Sequence, residues 1–300
     1  MKQLIVNADD FGLTHQVNQG ILDAHRHGIV TSATLMANGE AFESAVEIAR
    51  HTPDLGVGIH LNLTQGIPVS PAHTIRTLVD KWGRLYLSPG RLWRCVVTWQ
   101  VSLDDIHTEL RAQIAKVRRA GIAPTHLDGH KHVHVLPGIS QVVIRLAGDF
   151  GIRSVRCPVE EIPRLSTLLQ SQEGVPASLI KQSLVARGVS YFARRFRAYL
   201  TQAGIFSPAH FYGLCQTGFL DARGIQDVLQ HLPEGASELM CHPGYFDTDL
   251  ERTGTRLLTQ REVEIQALTA DPVGKLVMAR NIQLTNYQNA GSTQWIGAAA

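Results

Sequence analysis

The sequence predicts an α/β fold, a distorted (β/α) barrel with seven or eight parallel strands, on three observations. Short apolar runs alternate with segments of helical period along most of the 300 residues, the pattern that a parallel sheet with crossover helices imposes. Polar and titratable residues gather at the ends of those runs, where barrels and open sheets carry their chemistry. No glycine-rich phosphate loop follows the first run: Asp9-Asp10-Phe11-Gly12 has neither GxGxxG nor a Walker lysine, which argues against a nucleotide-binding sheet. An open doubly wound sheet is the second choice. The expected organisation is a single unit over residues 1–288, with insertions near 65–103 and 174–205 and a frayed tail at 289–300.

The first strand is Gln3 to Ala8, whose continuous Leu4-Ile5-Val6 suits a strand buried on both faces. It ends in two adjacent carboxylates. Neighbouring strand residues point to opposite sides, so Asp9 and Asp10 serve one site only if the chain bends there, as Gly12 would allow; otherwise one of them caps the next helix. That helix starts at Thr14 with Val17, Ile21, Leu22 and Ala24 in helical spacing and stops at Gly28. Ile29 to Met36 is the second strand, Glu40 to Arg50 a helix ended by Pro53, and Leu55 to Thr64 a third strand bearing a lone histidine, His60.

Residues 65–103 are long for a connection in such a fold. They hold Trp82, Trp93 and Trp99 beside Lys81, Arg84, Arg91 and Arg94, with no acid between Asp80 and Asp104. They read as a binding lobe or as an Ω-like cover over the barrel mouth. Asp104 to Ala120 is an amphipathic helix with Ile106, Leu110, Ile114 and Val117 on one face. After the histidine-rich strand described below come a helix from Gly138 to Phe150 and a strand from Ile152 to Pro158 that carries Arg156. Between Glu173 and Asp221 there is again no acid, while Leu184, Val189, Phe192, Phe196 and Tyr199 space out as an apolar face among Lys181, Arg187, Arg194, Arg195 and Arg197. Such a helix packs on the body with a basic outer face, or lies on an anionic membrane; packing is preferred, since Gly188 weakens the helix. His210 to Gly213 forms a strand, Ile225 to Leu232 a helix, and Glu238 to Gly244 a strand ending in His242. Thr259 to Leu268 is helical, and Ile282 to Tyr287 is the last strand.

A formal net charge of +2 is too balanced for a general nucleic-acid binder. No apolar run approaches the ~20 residues of a membrane span. Cys95, Cys157, Cys215 and Cys241 form no CxxC pair, which argues against a thiolate zinc site or a disulfide framework. The first residues turn acidic too soon for a signal peptide, so a cytoplasmic protein is expected.

The stretch His126-Leu127-Asp128-Gly129-His130-Lys131-His132-Val133-His134 alternates four histidines and one carboxylate with other residues. On a strand these five share a face, yet alternate residues lie roughly 6.5–7 Å apart. One ion therefore reaches one or two of them, leaving others such as Asp128, His126 and His132 to orient ligands or substrate. The strand must end early, because Pro137-Gly138 turns the chain. Asp, His and His with an open position make a facial set for a divalent ion, which suits amide or ester hydrolysis with a spare carboxylate as base and a histidine as acid.

Asn7-Ala8-Asp9-Asp10-Phe11-Gly12, His60, the Thr125 to His134 stretch and Cys241-His242-Pro243-Gly244 together resemble the YdjC-like carbohydrate deacetylase family. That resemblance implies a distorted NodB/YdjC-like barrel that removes acetyl groups from N-acetylated sugars. It matches Asp10, His60 and His130 to the metal ligands, Asp9 to the general base and His242 to the acid, with Arg156 and Asp128 behind them. One divalent ion is implied: zinc first, with magnesium, cobalt, nickel or manganese as the others. The run Ser190 to Phe196 and the basic aromatic insertions are similar to the hopanoid-biosynthesis-associated deacetylases. This implies an N-acetylglucosamine attached to a bacteriohopane lipid, with Trp82, Trp93, Phe192 and Phe196 as lipid contacts. The expected partners are thus an N-acetylated glycolipid or sugar, peripheral contact with the inner membrane surface, and a second copy in a homodimer; nucleic acid is not expected. Soluble chitooligosaccharides are an alternative substrate. A phosphoesterase with two ions about 3.5–4 Å apart and a sugar- or metal-binding module without catalysis are the other readings.

Overall fold

A computed structural model of the chain describes residues 1–161 and 177–291. The expected frayed tail lies outside the described residues from 292 onward, as does the start of the second insertion, 174–176. The elements run β1 (Lys2–Phe11), α1 (His15–Arg26), β2 (Ser32–Leu35), α2 (Phe42–Arg50), β3 (Gly56–Leu61), α3 (Pro89–Val97), α4 (Leu103–Arg119) and β4 (Leu127–Gly129). They continue as α5 (Ile139–Asp149), α6 (Ala177–Gln202), β5 (His210–Tyr212), α7 (Ala222–Gln230), β6 (Gly235–Cys241), α8 (Thr248–Arg252), α9 (Gln260–Leu268), α10 (Asp271–Ala279) and β7 (Gln283–Thr285).

Among the described residues seven strands, all parallel, run in the order β4-β3-β2-β1-β6-β5, with β7 also on β1. β1 is shared along its length: Gln3 to Ile5 pair with β7, while Asn7 to Phe11 pair with β2. Beyond β4 the wall continues by single bridges, Leu127 to Val155 and Ser154 to Phe206, so the expected strand at Ile152 to Pro158 is reduced to two contacts. The result is the distorted, half-closed parallel barrel the alternating pattern predicts. Its core is the apolar lining of the strands, Leu4, Val6, Ala33, Leu35, Ile59 and Leu239 among them, packed against the helices.

Local chemistry explains the helix ends. Thr14 caps α1 by accepting from the Val17 amide, and Ser102 caps α4 by accepting from Asp104. In α4, Asp104 and Asp105 sit in the first turn and Lys116, Arg118 and Arg119 in the last, as the helix dipole favours. α10 is a helix the sequence reading missed, because Pro272 and Gly274 look like breakers; a proline in the first turn lacks only an amide that has no partner there anyway.

The face of α6 also differs from expectation. Its buried side is Ser183, Ala186, Ser190, Ala193, Phe196 and Leu200, whereas Leu184, Val185 and Tyr191 are exposed. Small residues let the helix approach the barrel closely, a signal that a search for large apolar residues overlooks. The packing expected for this helix is what the structure shows.

Candidate active site

β1 brings Asp9 and Asp10 together by bending. Asp10 has φ 66°, in the left-handed region rarely taken by non-glycine residues, and the β1–β2 register shifts between Ala8 and Phe11. Two consecutive carboxylates therefore reach one cleft. The bend expected at Gly12 begins at Asp10, and Gly12 continues it with φ 91°. Such strain at a strand end is held by its surroundings: the Gly12 amide donates to Asn18 Oδ1 at 2.6 Å.

Asp10 Oδ1, His60 Nε2 and His130 Nδ1 converge, with separations of 3.1 Å (Asp10–His130), 3.3 Å (His60–His130) and 3.5 Å (Asp10–His60). A tetrahedral ion with ligand bonds of about 2.0–2.1 Å sets its donors about 3.3–3.4 Å apart, so the three atoms have the spacing such an ion needs. The outward-facing atoms of the same residues are all engaged. His60 Nδ1 lies 2.7 Å from Asp128 Oδ1, Asp10 Oδ2 accepts from Arg261 at 2.6 Å, and His130 Nε2 lies 3.0 Å from Gln65 Oε1. Imidazoles that bind metal are regularly backed by a carboxylate or carbonyl in this way.

The electrostatics also suit a cation. Among the described residues, the buried carboxyls of Asp9, Asp10, Asp128, Glu238 and Glu264 surround two buried guanidiniums, Arg156 and Arg261. Burial opposes a charge on His60, yet Asp128, Asp9 and Asp10 outweigh it and push the imidazole up to about 9. Burial likewise works against ionised Asp10, but Arg261 and His130 hold it well below the usual carboxylate range. Burial pulls His130 below its ordinary value. Burial pushes Glu238 and Glu264 up to about 7 despite nearby Arg156 and Arg261 respectively.

Arg156 is fully buried and saturates its donors. Nη1 and Nη2 clamp the two oxygens of Asp9 at 2.7 Å each, Nη1 also reaches Asp128 Oδ2 at 2.7 Å, and Nε reaches Glu238 Oε1 at 2.8 Å. Tyr287 donates its hydroxyl to the other oxygen of Glu238. Asn7 Nδ2 adds a 3.0 Å bond to Asp9 Oδ1, which leaves Asp9 Oδ2 with one free lone pair. His242 Nε2 stands 4.0 Å from that oxygen, its backbone amide bound to Glu264, and burial pushes its imidazole down to about 4.

The histidine row parts after Gly129. Lys131 (φ 53°) and His132 (φ 57°) are left-handed, so the strand alternation ends and only His130 faces the ligand set. His126 lies toward the other end of β4, stacked on Tyr287 with centroids 3.7 Å apart, and burial holds it neutral at about 3. His132 packs edge-on against Phe211, and His134 against Phe196. Of the aromatic candidates, Trp82 is exposed, Trp93 lies tilted against Phe192 with centroids 5.4 Å apart, and Phe196 is buried in the core and so closed to a surface ligand. Gln65, Glu238, Arg261, Glu264 and Tyr287 went unread in the sequence. Glu238 opens the apolar run Leu239-Met240, and an acid in such a place was its one visible signal; Arg261 and Glu264, three apart on α9, look like an ordinary exposed pair.

Known proteins similar to this chain are named deacetylases of carbohydrates. The chain is 37% identical over 289 residues to a carbohydrate deacetylase of Brevibacillus brevis, spanning 96% of this chain and 100% of that one. It is 33% identical to a chitooligosaccharide deacetylase of Proteus mirabilis, spanning 95% and 98% respectively. Among solved structures, a candidate cellobiose-phosphate cleavage protein from Enterococcus faecalis V583 superimposes with a TM-score of 0.73 at 26% identity, covering 96% of this chain and 98% of that chain. The model of the YdjC-like protein family matches residues 3–279. By that match and by these relatives, the chain belongs to the YdjC-like protein family.

Proposed function

We propose that this chain is a metal-dependent carbohydrate N-deacetylase that cleaves the acetamide of an N-acetylglucosamine unit and releases acetate, with residues 1–288 as one catalytic unit. The observation that carries this reading is the convergence of Asp10, His60 and His130 beside Asp9, in a chain whose relatives are named carbohydrate and chitooligosaccharide deacetylases. A divalent ion held by those three, zinc first by its donor set, supplies Lewis acidity to an amide carbonyl and acidifies water.

The rest of the chemistry falls to the chain's own groups. Asp9 Oδ2, with its free lone pair, takes a proton from the attacking water, and Arg156 keeps the carboxylate from turning away. Cleavage of the C–N bond leaves an amine nitrogen that must gain one proton, the same number Asp9 removed. His242, neutral at the outset and 4.0 Å from Asp9, receives that proton and returns it to the nitrogen. A phosphoesterase with two ions fits less well. The second cluster of donor types, Asp9, His60 and Asp128, shares His60 with the first, and Arg156 already binds both of its carboxylates.

For the substrate, we favour an N-acetylglucosamine carried by a hopanoid lipid. Beside Lys131 and His132, directly after the ligand His130, lies a cavity of about 220 Å³ lined by Pro89, Trp93, Leu136, Val185, Val189 and Phe192. Of its lining residues, Trp93 Nε1 and His132 Nδ1 are buried without a hydrogen-bond partner among the described residues. Among the described residues no helix is long and apolar enough to cross a membrane. Peripheral contact with the inner membrane surface instead rests on exposed Trp82, Tyr86 and Trp99, with Lys81 stacked over Trp82 and Arg91 over Tyr86. A soluble chitooligosaccharide is the second reading, supported by the Proteus mirabilis relative.

Acetate release from hopanoid-linked N-acetylglucosamine and from free chitobiose, with metal content measured in parallel, tests both levels. Preference for chitobiose overturns the lipid assignment, and turnover unaffected by metal removal overturns the mechanism. Asp9→Asn is expected to keep the metal while turnover falls about 10²–10⁴-fold; unchanged turnover removes Asp9 as the base.

A further inference from the structure

We propose that Gln65 is a positioning residue for the ion, fixing which nitrogen of His130 is free to bind it; this rests on the metal-dependent reading above. The two imidazoles of the site face it by opposite atoms. His60 presents Nε2 and keeps Nδ1 for Asp128, whereas His130 presents Nδ1 and turns Nε2 toward Gln65 Oε1 at 3.0 Å. A neutral imidazole carries its proton on one nitrogen and a lone pair on the other, so whatever accepts from Nε2 frees Nδ1 to be a ligand.

Which end of the Gln65 amide faces His130 is set by a third group. Lys131 Nζ lies 3.2 Å from the same Oε1. An ammonium only donates, so the amide must present oxygen, and that oxygen has two lone pairs for two donors. His130 Nε2 then has to carry the proton. The left-handed backbone at Lys131, the residue after the ligand, accompanies an amine turned back over the site.

The loop that carries Gln65 is built to hold it still. Its amide nitrogen donates to Asn62 Oδ1, and its carbonyl accepts from Asn62 Nδ2 at 2.9 Å and Asn38 Nδ2 at 3.1 Å. Asn62 is fastened in turn to Gln113 of α4 by both backbone groups, at 2.9 and 2.7 Å. Gln113 binds Glu109, whose carboxylate accepts from the amides of Val69 and Ser70. A polar chain thus runs from α4 through Asn62 to the backbone of Gln65, whose side-chain amide stands behind His130. Networks this fully satisfied hold one geometry.

The test uses the full chain stripped of metal, with zinc affinity read by competition against a chromophoric chelator and the visible spectrum read after cobalt loading. Gln65→Leu, similar in size but without an acceptor, is expected to bind zinc about 10–100-fold more weakly and to show an altered cobalt spectrum, with the metal-free Tm unchanged. Gln65→Glu keeps the acceptor and should restore both affinity and spectrum. Lys131→Met, a change at an exposed side chain that leaves folding intact, should weaken binding by a smaller factor than Gln65→Leu. Parental affinity in Gln65→Leu, or Gln65→Glu as weak as Gln65→Leu, overturns the proposal. Absence of zinc binding by the parent instead removes the metal-dependent reading on which it stands.

Discussion

Replacing Arg156 with methionine should destabilise the metal-free protein in a pH-dependent way. The substitution keeps much of the side chain's length but strips the guanidinium from Asp9, Asp128 and Glu238, all buried. Deleting one partner of a buried ion pair costs about 3–5 kcal/mol, because the other charge is left uncompensated. With roughly 2.1 cal/mol/K of unfolding entropy per residue, a chain of 300 residues should lose about 5–8 °C in Tm. In the parent, burial raises the Asp128 carboxyl but Arg156 and His60 more than reverse this, holding it below its ordinary range. A carboxylate depressed in this way adds stability above its unfolded value and loses it only as the pH falls through the folded one. Without Arg156 only His60 and His126 remain to oppose burial. The Asp128 carboxyl then moves upward, as does Glu238, already near 7. A carboxyl raised in the native state is destabilising above its unfolded value and is relieved by protonation on acidification. The gap between parent and variant should therefore be widest at pH 8 and narrow toward pH 5. Thermal unfolding of chelator-treated protein at pH 5, 6.5 and 8 measures it. A gap below about 2 °C, or one constant across that range, would refute the account of Arg156 as counterion to three acids.

Asp128→Asn places an amide where His60 Nδ1, Thr34 Oγ1 and Arg156 now donate to a carboxylate, so metal affinity should drop about 10–100-fold by chelator competition; an undiminished affinity would show that His60 needs no backing. Gly58→Ala would bring a methyl to within 2.4 Å of the His126 ring, which is pinned against Tyr287. A loss of about 1–3 kcal/mol is expected in denaturant unfolding, and a neutral outcome would mean that the ring can shift. Trp93→Ala opens the cavity beside His132 and should raise KM for a lipid-linked substrate while leaving that for chitobiose unchanged; equal effects on both would detach the cavity from substrate choice.

Much of the site could be read in the sequence because strand ends announce themselves. Asp9-Asp10, His60 and His242 each follow an apolar run, the His126 to His134 stretch crowds four histidines into nine positions, and four distant segments rich in donor types imply one mouth. What stayed hidden is of a different kind. That His130 alone of its row faces the ligand set depends on two left-handed residues, Lys131 and His132, in a segment whose composition suits continued extension. Arg261 and Glu264 belong to a helix of mixed polarity, and only the packing of α9 against the barrel tells that both point inward. Tyr287 lies beyond the last strand, far in sequence from the acid it serves. On α6 the expected face holds at Phe196, with Val189 and Phe192 half-buried beside it, but Leu184 is exposed because alanine and serine share the core-facing side with Phe196 and Leu200.

The seating of β7 along the lower half of β1, with Tyr287 just beyond it, bears on how the enzyme matures. During synthesis Asp9, Asp10, His60, His130 and His242 have all left the ribosome tens of residues before the strand and the tyrosine that complete the wall behind Arg156. Contacts between segments this far apart in sequence form late, since the intervening loop must first be closed. A nascent chain thus holds the reactive groups without the scaffold that aligns them. Alignment of these groups should therefore depend on the docking of β7 against β1.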